Sequence, residues 1–418
     1  MLGLFKNNKM FRTLLVYQIF SGLGGGMFSI FMLLSMHLLY QNPIYTGVAA
    51  FLMAAPHVFS FAAGPIVDRR NKVSIMRLTT LLEFSVLALL SLSPLQEYLG
   101  VMFMFSVVLA FSMSALFEVP AGTALLPQLV QEEKIMEANS LIQIVSLVGG
   151  VTIAAVLFYH LGGEPDHRFI YGLSAAFVAL AFVASLFLKD PAVKTKEGEP
   201  PPSYLQDLKD GAKFIRRSIL LYTTIAVVAL SLFAEITIVN RPMFFEYHVG
   251  AQGYVVFVVM ALIGGIIASA FVGALGKRFR VGQFIFMALI IASVVRIAFV
   301  LVLPVQFAGG IALMILYSTL AISSGLVFTS LRQKIPPKDM VGRVDTISRT
   351  FEALFVTIGA LAGGFLGSVV PVVDYIFIFQ AVAYAVIALF LILVPSIRKL
   401  PKINEIKKAD NGADETAF

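Results

Sequence analysis

Five ionisable side chains interrupt the long apolar stretches of this sequence: Glu83, Glu118, Glu235, Arg296 and Glu352. A charge at membrane depth costs about 2.5–3.5 kcal/mol or more, so it marks a functional position by default. Four of the five are carboxyl groups, whose chemistry in such a setting is the reversible binding of a proton or a cation. A second cluster lies in "GPIVDRRNK", where Gly64, Asp68, Arg69, Arg70 and Lys72 share one short connection. Glycine at Gly64 permits close approach of two helices. The bases alone set a membrane orientation. That signal needs no acid, so Asp68 requires another role. A carboxylate at a helix end accepts from a neighbouring helix N-terminus, which carries roughly half a positive charge.

Other chemistries are set aside early. The chain has no cysteine, hence no thiol nucleophile, disulfide or thiolate metal site. Its five histidines are scattered, and no GxxxxGK[ST] phosphate loop occurs. No enzymatic centre, metal or cofactor is expected; a proton gradient is left as the energy source.

The elements that must position these groups are read from hydropathy. The 418 residues are 59% hydrophobic and 13% charged, with a mean hydropathy of +0.90. A soluble protein is nearer about 45–50% apolar and 25% charged, so the solvent here is lipid. A membrane helix needs about 20 apolar residues. Twelve such runs are present, at 13–40, 46–66, 74–93, 98–120, 139–160, 168–188, 218–240, 252–275, 281–303, 308–330, 350–370 and 373–395. With the N-terminus in the cytoplasm, all but three of the 31 Lys and Arg fall on the cytoplasmic side. Arg168 and Arg241 fall outside, and Arg296 lies within a run. This asymmetry places both termini in the cytoplasm and supports an even number of spans. It also assigns the net charge of +7 to topology rather than to nucleic-acid binding.

The longest inside connection, 189–217, divides the runs six and six. Its first half is rich in Pro, Glu and Lys, as a flexible linker is. Its second half has Tyr204, Leu205, Leu208, Ala212 and Ile215 at helical spacing, which predicts an amphipathic helix on the inner membrane surface. The expected organisation is an N-terminal bundle over 1–188, this linker, a C-terminal bundle over 218–395 and a tail over 396–418. The halves echo each other: "GPIVDRRNK" after the second run matches "GALGKRFR" after the eighth, with Gly64 against Gly273 and Arg69 against Arg278. Asp68 has Lys277 as its counterpart. The fold class read here is all-α integral membrane, with twelve transmembrane helices in two pseudo-symmetric six-helix bundles. Two repeated halves with binding near the midplane form a transporter architecture.

At this point the sequence resembles the major facilitator superfamily of secondary transporters. The family pattern of Gly, three residues, Asp, Arg and further bases is met by Gly64, Asp68, Arg69, Arg70 and Lys72. The stretch "LLPQLV" followed by "EEKIMEANSL" resembles the macrolide-efflux branch of drug:proton antiporters. Two features depart from that branch's relatives. "SLVGGVTIAA" keeps Gly149 and Gly150 without the proline of the antiporter motif. The fourth run carries Glu118 and no base.

The resemblance implies that helices 1, 4, 7 and 10 line a central cavity and that 3, 6, 9 and 12 are peripheral. It makes Glu235 the first choice for a proton- or cation-binding carboxylate; the alternative is a carboxylate near the outer interface paired with Arg241. Gln18 and Asn240 add polar handles. Glu118 either faces the cavity floor or joins Arg69 and Arg70 in an inner gate, while Asp68 docks at the start of the eleventh helix. Glu83 and Arg296 fit structural pairs to neighbouring helices, and Glu352 a structural or inner-gate role. Gly359, Gly363, Gly364 and Gly367 suggest a packing seam between the halves. The expected function is proton-coupled export of lipophilic or amphipathic compounds by alternating access. The expected partners are a lipophilic small molecule and the bilayer, and the expected state is a monomer in the plasma membrane. The alternatives are another substrate class (siderophore or lysophospholipid export, or proton-coupled uptake) and an uncoupled scaffold or scramblase.

Overall fold

The computed structural model describes residues 8–68, 70–92, 94–131, 138, 141–142, 149, 153, 167–189, 204–337, 340–402 and 405–406. The chain divides into two compact units, Met1–Pro201 and Pro202–Phe418.

In the first unit α1 spans Lys9–Tyr40. Asn8 caps it by accepting from Phe11 N at 2.9 Å. Its own amide donates to Leu129 O at 2.6 Å. Gln41 turns the chain in the left-handed region, at φ 47°. Asn42 then caps α2, Pro43–Ala54, with Pro43 in the first turn. Pro56 has no N–H to donate, and the helix tightens to a 3₁₀ segment over Ala55–Phe59. The chain continues as α3, Ser60–Asp68. Asn71 caps α4, Lys72–Ser91. The next helix, α5, runs Pro94–Leu129 and kinks at Gly100, whose φ of 63° and ψ of −159° are not helical. The last described helix of this unit is α6, His167–Leu186.

The second unit opens with α7, Tyr204–Arg217, where the sequence predicts the amphipathic linker helix. Six long helices follow: α8 Leu220–Val249, α9 Ala251–Arg278, α10 Val281–Val302, α11 Phe307–Lys334, α12 Val341–Val369 and α13 Asp374–Leu393. A single turn, α14, Pro395–Arg398, closes the unit.

Among the described residues, eleven helical segments are long and apolar enough to cross a membrane. The fifth run, 139–160, lies outside the described residues except at a few positions. Side chains on the outer surface fit lipid as the solvent: Leu78 is 70% exposed, Phe187 67% and Leu393 77%.

The two units repeat one packing scheme. The first span packs on the sixth (α1 on α6), as the seventh does on the twelfth (α8 on α13). The third meets the sixth and fourth (α4 with α6 and α5), as the ninth meets the twelfth and tenth (α10 with α13 and α11). The second meets the fourth, as the eighth meets the tenth. Small residues set the closest of these approaches. A Cβ on Gly24 of α1 would lie 2.5 Å from Val178 Cγ2 of α6. There Ser174 Oγ donates to Gly24 O at 2.7 Å.

Candidate functional site

One polar cluster lies inside the first unit. Tyr17 and Ser21 are one turn apart on α1 and share a face. Tyr17 Oη and Ser21 Oγ both donate to Glu118 Oε1 of α5, each at 2.6 Å. Tyr17 Oη also lies 2.7 Å from Thr80 Oγ1 of α4. Glu83, one turn beyond Thr80, lies close enough to Glu118 to feel its charge. Glu83 is 2% exposed, Tyr17 2% and Thr80 0%. When one of two neighbouring carboxyl groups is protonated, its O–H can donate to the other. Gln18 borders the cluster: its Nε2 is 3.6 Å from the Cβ position of Gly122, and its Oε1 is buried without a partner among the described residues.

Glu83 faces a second acid, Glu118, on the neighbouring helix. Glu118 accepts from Tyr17 and Ser21. Of the loop bases, Arg70 is exposed and Lys72 is buried at the start of α4. Arg69 and the side chain of Asp68 lie outside the described residues. Among the described residues, a Cβ on Gly64 would meet nothing within 4 Å. Arg77, read as a topological base, caps α6: its guanidinium donates to Ser185 O at 3.1 Å, Leu186 O at 3.3 Å and Leu188 O at 2.9 Å.

The charges of the second unit are arranged differently. Arg241 is not in a loop, because α8 continues through Pro242 to Val249. The guanidinium stands 4.4 Å from the Phe257 ring centre. Glu235 feels the charge of Arg241, yet among the described residues it closes no ion pair within 4.0 Å. Arg296 is fully buried, and among the described residues no carboxylate pairs with it. It is caged instead by Phe299, Tyr317 and Phe377, at 5.4, 4.6 and 4.6 Å from its guanidinium carbon. The sequence leaves an ion pair or a hydrogen bond to an adjacent helix open for Arg296; among the described residues it makes cation–π contacts, and its Nη1 donates to Met314 Sδ of α11 at 4.0 Å.

Asn240 pins α8 to α12. Its amide donates to Ile236 O at 2.8 Å and to Gly363 O at 2.9 Å, so its donor capacity is not offered to a cavity. A Cβ on Gly359 would lie 2.7 Å from Leu232 O, and one on Gly363 2.9 Å from Ile236 O. The seam expected between halves is, at these two glycines, a seam within the second unit.

A cavity of about 400 Å³ opens in this unit among α8, α10, α11, α12 and α13. Its walls include Leu230, Leu289 and Phe328, with Arg332 and Glu352 at a polar end. Arg332 Nη1 donates to Glu352 Oε1. Apart from it, His248 Nε2 meets Asp374 Oδ1 at 2.7 Å. Neither pair was singled out from the sequence, since each joins residues from different helices. Among the described residues no three His, Asp or Glu converge to hold a metal ion.

A family model described as Major Facilitator Superfamily matches residues 14–356. Macrolide efflux protein A of Streptococcus pyogenes is 22% identical over 381 residues, covering 87% of this chain and 88% of that protein. The nucleoside transporter NupG superposes with a TM-score of 0.75 at 15% identity, over 93% of this chain and 99% of that one. A D-xylose-proton symporter superposes with a TM-score of 0.68 at 13% identity, over 96% and 99%.

Proposed function

The chain belongs to the Major Facilitator Superfamily, and on that premise we propose that this multi-pass membrane transporter exports lipophilic or amphipathic compounds in exchange for protons. A transporter of this family carries a small-molecule substrate and is not an enzyme. The direction and the substrate class draw support from the similarity to a macrolide efflux protein. The proposed setting is the plasma membrane, with both termini cytoplasmic and the protein acting as a monomer. No cofactor is invoked beyond the proton gradient.

The observation that carries proton coupling is the Glu83–Glu118 pair. A proton shared by the pair would sit between helices α4 and α5, with Glu118 tied to α1 through Tyr17 and Ser21. A shift of any of these helices changes the hydrogen bonds available to that proton. Proton affinity then differs between conformations, which is the requirement for coupling. Glu235 is the second candidate, a single carboxyl group that closes no ion pair among the described residues. The test is flux of a lipophilic cation in proteoliposomes under an imposed pH gradient. Export coupled to proton influx accelerates with the gradient; flux indifferent to it removes the antiport reading.

A further inference from the structure

We propose that the inner ends of α10 and α13 form a binding site for the headgroup of an anionic phospholipid, held by Arg278, Arg280, Arg398 and Lys399. All four bases are exposed, and among the described residues none closes an ion pair. Glu405, the acid nearest to Lys399 in sequence, is turned to Lys402, accepting from its backbone N at 3.3 Å. Arg278 and Arg280 belong to the "GALGKRFR" stretch, which repeats the first-half loop without its acid. The transport reading gives that stretch no task.

Backbone contacts bring the bases together. Arg280 stands immediately before α10. After α13 the chain turns through Pro395–Arg398 and passes against the start of α10. Val281 N donates to Pro401 O at 3.3 Å. A Cβ on Gly282 would strike Ile397 O and lie 3.1 Å from Arg398 Cα, so only glycine admits the segment this closely. Ile397 is 1% exposed and Leu400 3%, and both join the apolar core that holds Val281 and Ile285. Arg398 and Lys399 lie between these two buried anchors. The bases therefore sit on a fixed scaffold.

The apolar surface beside them says what the ligand is. On α13, Leu389 is 49% exposed and Leu393 77%. Arg398 follows Leu393 by five residues, a rise of about 7.5 Å if helical. The neighbouring α10 exposes Ile291 by 47% and Val294 by 62%. Hydrocarbon must cover these side chains, and the boundary with the headgroups falls between Leu393 and Arg398. A phospholipid meets both demands: acyl chains cover the apolar residues, and the phosphate accepts charge-assisted hydrogen bonds from the guanidinium groups. A soluble phosphate or an acidic protein meets only the second. Clustered bases at the end of a membrane helix attract anionic lipid in this way. A bound headgroup bridges the start of α10 to the segment after α13 and so stabilises the folded unit.

The test is native mass spectrometry of the purified full chain, titrated with phosphatidylglycerol or with phosphatidylcholine of the same acyl chains. Glycerol 3-phosphate serves as the soluble competitor. The triple variant Arg280→Gln, Arg398→Gln, Lys399→Gln removes the site. The triple variant Lys209→Gln, Lys213→Gln, Arg216→Gln removes the same charge from exposed positions on α7. Phosphatidylglycerol is expected to bind wild type about tenfold or more tighter than phosphatidylcholine, and the first variant to lose about tenfold or more of that affinity. The α7 variant is expected to keep it, and glycerol 3-phosphate to displace nothing. Arg398→Gln alone, an exposed single change that leaves the fold intact, is expected to lose about threefold or more. Wild-type affinity in the first variant or in Arg398→Gln, an equal loss in the α7 variant, or equal affinity for the two lipids overturns the site. Displacement by glycerol 3-phosphate overturns the lipid as its ligand. No gradient or transport enters the assay, so its outcome is independent of proton coupling.

Discussion

Tyr17 Oη donates to Glu118 Oε1 at 2.6 Å and lies 2.7 Å from Thr80 Oγ1. One phenol thus joins the first, third and fourth spans. Tyr17→Phe keeps the ring in its buried place and deletes the donor to a carboxyl group. A hydrogen bond to a charged group is worth about 1.5–3 kcal/mol. The variant is expected to melt at a lower temperature than wild type in detergent, by thermal unfolding of the purified protein. An unchanged midpoint contradicts the contact.

Two glycine substitutions separate a packing role from an open surface. Gly363→Leu forces a side chain against the backbone of α8, where even a Cβ would sit 2.9 Å from Ile236 O. Overpacking of this kind costs about 1–3 kcal/mol. Gly64→Ala meets no described atom within 4 Å and gains helix propensity. Melting curves are expected to drop for the first and hold for the second. The reverse order contradicts the assignment of the seam to α8 and α12.

Arg296 is a fully buried charge whose contacts are aromatic rings and Met314 Sδ, at 4.0 Å from Nη1. Among the described residues its Nε and Nη2 have no hydrogen-bond partner. A buried charge without a carboxylate is costly, and an apolar side chain of similar volume often stabilises such a position. Arg296→Met is therefore expected to leave the melting temperature unchanged or raise it. A large fall reveals a partner for Arg296 that the cage does not supply.

The spans, the repeat and the linker helix are legible in the sequence because hydropathy and charge asymmetry are local properties. Partner choice is not local. Tyr17 and Glu118 are 101 residues apart, and Arg332 and Glu352 are 20 apart on different helices. Nothing in the spacing of either pair announces it. A charge closes the apolar run at Asn240, so hydropathy alone places Arg241 outside. The structure keeps the helix intact past Pro242 and shields the guanidinium with Phe257. Asn240 shows the opposite lesson: a polar group in an apolar run was read as a handle for a ligand, and its donors are spent on two backbone carbonyls.

The central claim is that the Glu83–Glu118 pair carries the coupling proton, and transport in proteoliposomes tests it most directly. Wild type, Glu83→Gln, Glu118→Gln and Glu235→Gln are compared for uphill movement of a lipophilic cation driven by a pH gradient, and for gradient-free exchange of the same cation. The predicted result is that Glu83→Gln and Glu118→Gln lose uphill transport but retain exchange, while Glu235→Gln keeps a response to the gradient. Full uphill transport by Glu83→Gln and Glu118→Gln, with its loss in Glu235→Gln, contradicts the account and returns the proton to the seventh span.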